Sequence, residues 1–554
     1  MTNTNVLSDL TCALPRSAWT DADSHAHKPM STPPAGFWRI VDYKTDHYDG
    51  RALLTTNPDA AVLTIPLGRK GWHAVSVGMS QRQWGNSVVE IRLTGDRHWQ
   101  FLRSAGRDGG GPLHEEPWCF ADLTGKNLEV RFPKDLSPLH GAEFVTSSIY
   151  SVRCAPVKPE HIPILNTKRH SPMIYINDGF GIFYHAREPG PHIVHDALAR
   201  FAESDWDTAA FGNIGGDLVN FPTRAGTRAG MDGWCFERPG DRRCASNLRA
   251  MLEAGHDPMK QAIDQAHAQG QVFWMYLRPQ AYSTEPPYDH ILHSRFYSEN
   301  PEYRCVEANG KPISKLSIAY PAVRDNLNSI LRDALDRGAD GLCLAFVRGY
   351  PCVRYEAPVL EKFKQLHGVD ARTLPDSDEK LRALWTEFVT VWIREIRQML
   401  DKAGPGPKSR RRELSVIVGP DREWNMRFGY DTGAWAREGL VDVVMPYPYT
   451  KDGVLDVQYF AGQIKGTKAR LQPSFGTFNQ NVTVAVLRQR ALTCYKEGAH
   501  GLSRWDTPSY LARLRFDDPE QQRLWVEEYF PPQNIDMLEF AGFNLEAFGP
   551  MLGF

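Results

Sequence analysis

The chain has 554 residues, 42% hydrophobic and 23% charged, the balance of an ordinary globular protein rather than a disordered or membrane one. At about 100 to 250 residues per domain, this length calls for two or three domains. Sixty-four basic residues against sixty-six acidic ones leave a net charge of −2, which argues against nucleic acid and membrane surfaces as main partners.

Residues 1–30 are polar and without period, and read as a flexible N-terminus. No apolar core of a leader opens them, and no stretch reaches the roughly 18 apolar residues of a membrane span, so a cytoplasmic location is expected. Over 31–160, short alternating runs at 61–67, 73–77, 88–93, 99–102, 128–132 and 148–153 are separated by turn residues, the pattern of an all-β sandwich. The glycine run 109–111 has no helical pattern after it and reads as a loop rather than a phosphate cradle. Nine cysteines, an odd number without CxxC or zinc spacing, indicate neither a disulfide framework nor a structural metal; Cys235 and Cys244 are near enough to pair, but two loop thiols explain them equally.

From about residue 170 the texture changes to apolar strands alternating with amphipathic helices, the signature of βα units. Eight strands are expected, at 173–177, 208–213, 272–277, 341–346, 414–418, 441–446, 470–475 and 501–505. Helices such as 195–203, 258–269, 322–337, 381–403, 457–467 and 484–497 lie between them, and 521–530 follows the last strand. Gly270, Gly338, Gly439 and Gly498 stand where a left-handed residue ends a helix before the next strand. This predicts an α/β fold, a (β/α)8 TIM barrel over 170–535 preceded by the β-sandwich, with 536–554 as a C-terminal extension. No GxGxxG or GxxxxGK[ST] opens a helix, so no nucleotide cofactor is expected. The basic run Arg410, Arg411 and Arg412 reads as a solvated loop before a strand. Nothing indicates an oligomer, although one is allowed.

Barrel enzymes build their sites at the C-terminal strand ends. Those positions here carry Asn177 and Asp178, Asp217, Tyr276 and Arg278, Arg348, Arg354, Tyr355 and Glu356, Asp421, Glu423 and Trp424, Tyr447 and Tyr449, Ser474, and Arg504, Trp505 and Asp506. Aromatic faces stack on sugar C–H surfaces while carboxylates and guanidinium groups bond hydroxyls, so a carbohydrate substrate is expected. Glycoside cleavage needs one acid to protonate the leaving oxygen and a second as nucleophile or base. Glu356 and Glu423 lead the candidates, followed by Asp421, Asp178 and Asp506; Tyr276, Arg278, Arg348, Arg354, Trp424, Tyr447, Tyr449, Arg504 and Trp505 are expected to bind substrate. Trp72, Trp84, Trp99 and Trp118 offer the β-domain a sugar surface, although core packing accounts for them as well. The HxH of a metal-first barrel occurs only at His25 and His27 in the polar N-terminus, so no metal is expected.

The segments GADGLCLAFVR (338–348), RYEAPVLEKF (354–363) and WAREGLVDVVMPY (435–447) resemble a group of bacterial glycosyl-hydrolase-like, or family 10 glycosylhydrolase-like, barrels. The resemblance spans about 170–530 and implies a glycoside hydrolase. Its strand-four motif reads like Asp-Gly-x-x-x-Asp-Phe-x-Arg; Asp340, Gly341, Phe346 and Arg348 fit, but Ala345 stands where an acid is implied. By analogy with the broader alpha-amylase-like barrels, position 345 would hold the nucleophile and Asp421 or Glu423 the general acid. An engineered inactivating replacement, a natural shift of the acid to Glu356, and a barrel that binds sugar without cutting it all accommodate Ala345. Asp442 and Asp431 read as structural, the first at the barrel bottom and the second as a helix cap.

Overall fold

A computed structural model describes residues 5–21, 37–80, 86–104, 113–134, 145–167, 170–232, 238–280, 294–347, 351–407, 410–448, 454–476, 482–530, 534–535 and 537–540. The chain divides into two units, one of Met1–Arg169, Asn479–Leu492 and Pro508–Phe554, the other of His170–Phe478 and Thr493–Thr507.

The second unit is the expected barrel. Its strands are β1 Met173–Asn177, β2 Thr208–Gly212, β3 Val272–Leu277, β4 Gly341–Ala345, β5 Glu413–Val418, β6 Val443–Pro446, β7 Arg470–Leu471 and β8 Leu502–Trp505. From β1 to β7 each strand pairs in parallel with the next, and β8 pairs with β1. Closure between β7 and β8 runs through a Ser474–Ser503 bridge and the N–H groups of His500 and Ser503, which donate to Leu471 and Pro473 carbonyls at 2.8 and 3.0 Å. β1 to β6 are largely apolar because lumen and helices cover both faces, and β1, β2 and β4 are buried almost throughout. β7 is shorter than its pattern predicts because Pro473 supplies no N–H to continue the ladder.

Helices Pro258–Ala268, Pro321–Asp336, Glu379–Lys402, Val457–Ile464 and Val484–Lys496 follow the expected segments closely. Gly270, Gly338, Gly439 and Gly498 take φ of 78°, 102°, 68° and 103°, the left-handed conformation that stops a helix. Pro239–Glu253 and Ala357–His367 are additional helices that the periodicity did not single out.

The first unit holds two sheets. One runs Val6–Leu7, Ser151–Pro156, Trp72–Ser80, Leu113–Asp122 and Asn534–Ile535. The other, of nine strands, runs from Trp19–Asp21 through Trp38–Thr45, Asp49–Thr55, Val145–Ile149, Asn86–Leu93 and Leu128–Arg131 to Leu63–Ile65, with Met537–Phe540 and Gln100–Arg103 on side branches. Leu113 of the first sheet packs with Val41, Tyr43, Ala52 and Leu54 of the second, and the Tyr43 hydroxyl donates to the Tyr150 carbonyl at 2.6 Å.

Three expectations change here. The tail expected to be flexible joins both sheets within residues 5–21, where Leu10, Ala13 and Trp19 are buried; its contributions are too short to show a period. The strand expected at 148–153 is two strands, Val145–Ile149 and Ser151–Pro156, which break at Tyr150 to enter different sheets. Residues 479–492 and 508–535, expected within the barrel, cluster with the β-unit, and the extension after 535 adds a strand there. The glycine run 109–111 and Cys235 lie outside the described residues. Among the described residues, no helix is long and apolar enough to cross a membrane.

At the N-terminal end of β6, Asp442 accepts from the Leu414 N–H at 2.8 Å and from the buried Arg397 at 3.1 Å, and it pairs with Arg411. Part of the basic run is therefore an anchor rather than a free loop: Arg412 donates to the Ala339 carbonyl, while Arg410 is exposed. Asp442→Ala removes one partner of a buried cation, and urea unfolding should show a loss of about 3 kcal/mol, whereas Asp401→Ala, at the exposed partner of Arg397, should cost under about 1 kcal/mol.

Candidate active site at the barrel mouth

Alternation along each strand sends every second residue into the lumen, and near the C-terminal end these residues are large. Tyr276 of β3, Tyr447 directly after β6 and Trp505 of β8 cluster there with Ala345 of β4, Ile176 and Met445. The Trp505 ring meets Tyr276 edge-on and Tyr447 at a tilt, both at 5.3 Å between centroids. All three rings are only 1% exposed, so they form a floor rather than the open stacking surface expected of them. Ala345 contributes its methyl to the same floor.

The rim above carries charge. Asp178 follows β1, Arg278 follows β3 and Asp506 follows β8, and each is part-exposed. β1 and β8 are hydrogen-bonded neighbours: Ile176 lies opposite Trp505, and the Thr507 N–H donates to the Ile176 carbonyl at 3.1 Å. Asp178 Oδ1 accepts from the Phe180 and Gly181 amides at 2.9 and 3.0 Å, which fixes the carboxylate over the first turn of Gly181–His185. Arg278 donates through Nη2 to the Ile214 carbonyl at 2.7 Å. Asp506 takes φ of 44°, a left-handed conformation that aspartate tolerates better than most residues.

These groups converge on one phenol. The Tyr276 hydroxyl is buried and has no hydrogen-bond partner among the described residues. Burial raises its pKa well above the ordinary tyrosine value; the Arg278 cation opposes the rise, and the negative charges of Asp506 and Asp178 add to it. Tyr276 is therefore held neutral.

The remaining expected residues are engaged elsewhere. Glu423 has a side chain 69% exposed and pairs with Arg382 at 2.8 Å, which lowers its pKa, the wrong direction for a proton donor. Glu356 is buried, and its oxygens accept from the Arg354 amide at 3.0 and 2.9 Å and the Val306 amide at 3.1 Å; burial raises its pKa, but its lone pairs tie Arg304–Val306 to the loop after β4. Asp421 caps the helix Arg422–Arg427 through the Trp424 amide at 2.8 Å, and the Trp424 ring lies over Gly419. Arg354 is paired with Glu307 and Asp376 at 2.9 and 2.7 Å. Arg504 lies opposite Tyr175, whose ring stacks on Phe201, so Arg504 occupies the helix-facing side of β8 rather than the lumen. Arg348 and Tyr449 lie outside the described residues, as does Trp84. Trp99 is flanked by Arg92 and Arg131 at 4.4 and 4.2 Å, Trp118 is buried, and Trp72 is half-buried. Asp431 caps Thr432–Arg437, as its position suggests. Among the described residues, no group of three or more His, Cys, Asp or Glu could hold a metal ion.

No protein-family model matches the sequence, and no curated protein matches it. Among solved structures, the chain is similar to an alpha-galactosidase from Thermus thermophilus at 11% identity, covering 91% of this chain and 98% of that one, with a TM-score of 0.34. It is also similar to the catalytic domain of a beta-amylase from Paenibacillus polymyxa, at 8% identity over 65% of this chain and 99% of that one, with a TM-score of 0.40. A maltogenic alpha-amylase from Thermotoga neapolitana follows at 10% identity over 63% and 70%, with a TM-score of 0.33. These neighbours are glycoside hydrolases; likeness at this level carries no argument about substrate or mechanism here.

The loop after β2 holds a group that strand-end reading named but gave no role. Asp217 is buried, and no donor among the described residues reaches either carboxylate oxygen with hydrogen-bond geometry. Burial pushes its pKa up to about 6, with the nearby Ser294 hydroxyl opposing the shift. Because the folded pKa is raised above the unfolded value, the neutral form stabilises the fold at low pH, and that contribution is lost as pH rises through about 6. Asp217→Asn should therefore raise the melting temperature at pH 8 and flatten the pH dependence of stability between about 4 and 7, as thermal scans at several pH values would read.

Proposed function

We propose that the chain is a glycoside hydrolase whose reacting carboxylates are Asp178 and Asp506. The observation that carries this reading is their place directly after the hydrogen-bonded neighbours β1 and β8, at the rim above the floor of Tyr276, Tyr447 and Trp505. In the reaction Asp178, held by two amides, attacks the anomeric carbon as the glycosidic C–O bond breaks, and Asp506 gives its proton to the leaving oxygen. Asp506 then takes a proton from the water that cleaves the glycosyl ester and frees Asp178. Attack by Asp178 followed by a separate water step would retain the anomeric configuration. Arg278 would offset part of the acidic charge.

A second reading, a barrel that binds sugar without cutting it, has one observation in its favour. Ala345 places a methyl in the lumen where the resemblance implies a nucleophilic acid.

Hydrolysis of a panel of aryl glycosides and oligosaccharides by the parent chain, Asp178→Asn and Asp506→Asn decides between them. The proposal expects turnover by the parent and a fall in kcat of about 100-fold or more in each variant, with sugar affinity by tryptophan fluorescence kept within about threefold. Binding without turnover by the parent would establish the second reading, and turnover gained only by Ala345→Asp would mark a barrel that has lost its acid. Absence of both binding and turnover would exclude carbohydrate.

A further inference from the structure

The carboxylate of Asp178 is fixed by its own amide bonds, but the loop that carries it is held by a residue outside the strand ends. Asn220 is fully buried, and its Nδ2 donates both to the Gly179 carbonyl at 2.8 Å and to the Gly212 carbonyl at 2.9 Å. One amide nitrogen thus bridges the residue after Asp178 to the last residue of β2. The two carbonyls also fix which end of the amide is nitrogen, because the flipped amide would set oxygen against oxygen.

The bridged segments are in backbone contact. Gly179 has φ of 68°, and a Cβ there would stand 1.9 Å from the Gly212 oxygen; a Cβ on Gly212 would stand 2.3 Å from the Asp178 carbonyl oxygen and 2.8 Å from the Tyr276 ring. Two further bonds meet there, from the Ile214 N–H to the Asp178 carbonyl at 3.3 Å and from the Gly179 N–H to Asn177 Oδ1 at 2.9 Å. Ile214 itself takes φ of 93°, a conformation that a β-branched residue keeps only where its surroundings impose it. Asp178, Gly212 and Tyr276 are therefore one packed unit, and Asn220 is the side chain that ties its two backbones together.

We propose that Asn220 is a positioning residue that sets Asp178 against Tyr276 for glycoside cleavage. This rests on the reading of Asp178 as a reacting carboxylate. A shift of about 1 Å in a reacting group costs on the order of 100-fold in rate, so the effect should appear in turnover rather than in binding.

The test compares the parent, Asn220→Ala and the isosteric Asn220→Asp on a glycoside the parent cleaves. Asn220→Ala should lower kcat by about 100-fold with KM within about threefold, and should speed hydrogen exchange at the Phe180 and Gly181 amides. Asn220→Asp keeps the shape, and burial between two carbonyls favours its protonated form, which can still donate to one of them, whereas the ionised form donates to neither. Its activity relative to the parent should therefore fall as pH rises from about 6 to 9, a signature that a packing role alone would not give. A ratio that stays flat and within threefold of the parent over that range would overturn the proposal, even if Asn220→Ala failed to fold. A loss in both variants that does not change with pH would also overturn it, in favour of a role in packing alone. A parent without turnover overturns the hydrolase reading first, and this inference with it.

Discussion

Closing eight parallel strands on themselves leaves a lumen that must be filled, and much else in the second unit follows from that requirement. A barrel of this size is packed by its own side chains, so the inward aromatic residues become core. Tyr276, Tyr447 and Trp505 meet this demand near the C-terminal end, where Ala345 leaves space between larger neighbours. Polar groups are then pushed to the rim, to the residue or two after each strand where solvent can reach. Asp178, Arg278 and Asp506 stand there because the ladder has ended and the chain is free to turn.

Carboxylates elsewhere serve the fold. Asp257, Asp378, Asp421, Asp431, Asp456 and Asp518 each cap a helix by accepting amide N–H groups that have no partner within the helix. Asp340, part of the motif that suggested a sugar enzyme, accepts the Phe273 amide at 2.8 Å and pairs with His267 at the N-terminal end of β4. An aspartate before a helix is thus a poor guide to chemistry. What sets Asp178 and Asp506 apart is a shared neighbour, the Tyr276 phenol.

The sequence made the barrel legible because its two periods, apolar runs and amphipathic helices, survive in the residues themselves, and glycines mark where one yields to the other. Strand ends also narrowed the search to one rim, and Asp178, Asp506, Tyr276 and Arg278 all stand on it. The order among the acids is not legible there, for a physical reason. Nothing local distinguishes Glu423, paired with Arg382 some forty residues away, or Glu356, bound by the Val306 amide, from a free acid. Arg504 and Trp505 are adjacent, yet alternation puts them on opposite faces, and register decides which. Asn220 carries no signal in sequence because its importance lies in two carbonyls brought together by the fold.

The first unit is assembled from three separated stretches of chain, and the last of them runs from Pro508 to the C-terminus. A ribosome that has finished the first 160 residues has therefore not finished this unit. The edge strand Leu113–Asp122 and the last residues of Trp38–Thr45 wait for Asn534–Ile535 and Met537–Phe540, which emerge only after the whole barrel has been synthesised. Until then the nascent chain exposes unpaired strand edges, the feature that invites association with other chains. A gene fragment cut at the apparent end of the β-domain would carry the same open edges permanently, so the boundary visible in the sequence is a poor place to divide the molecule.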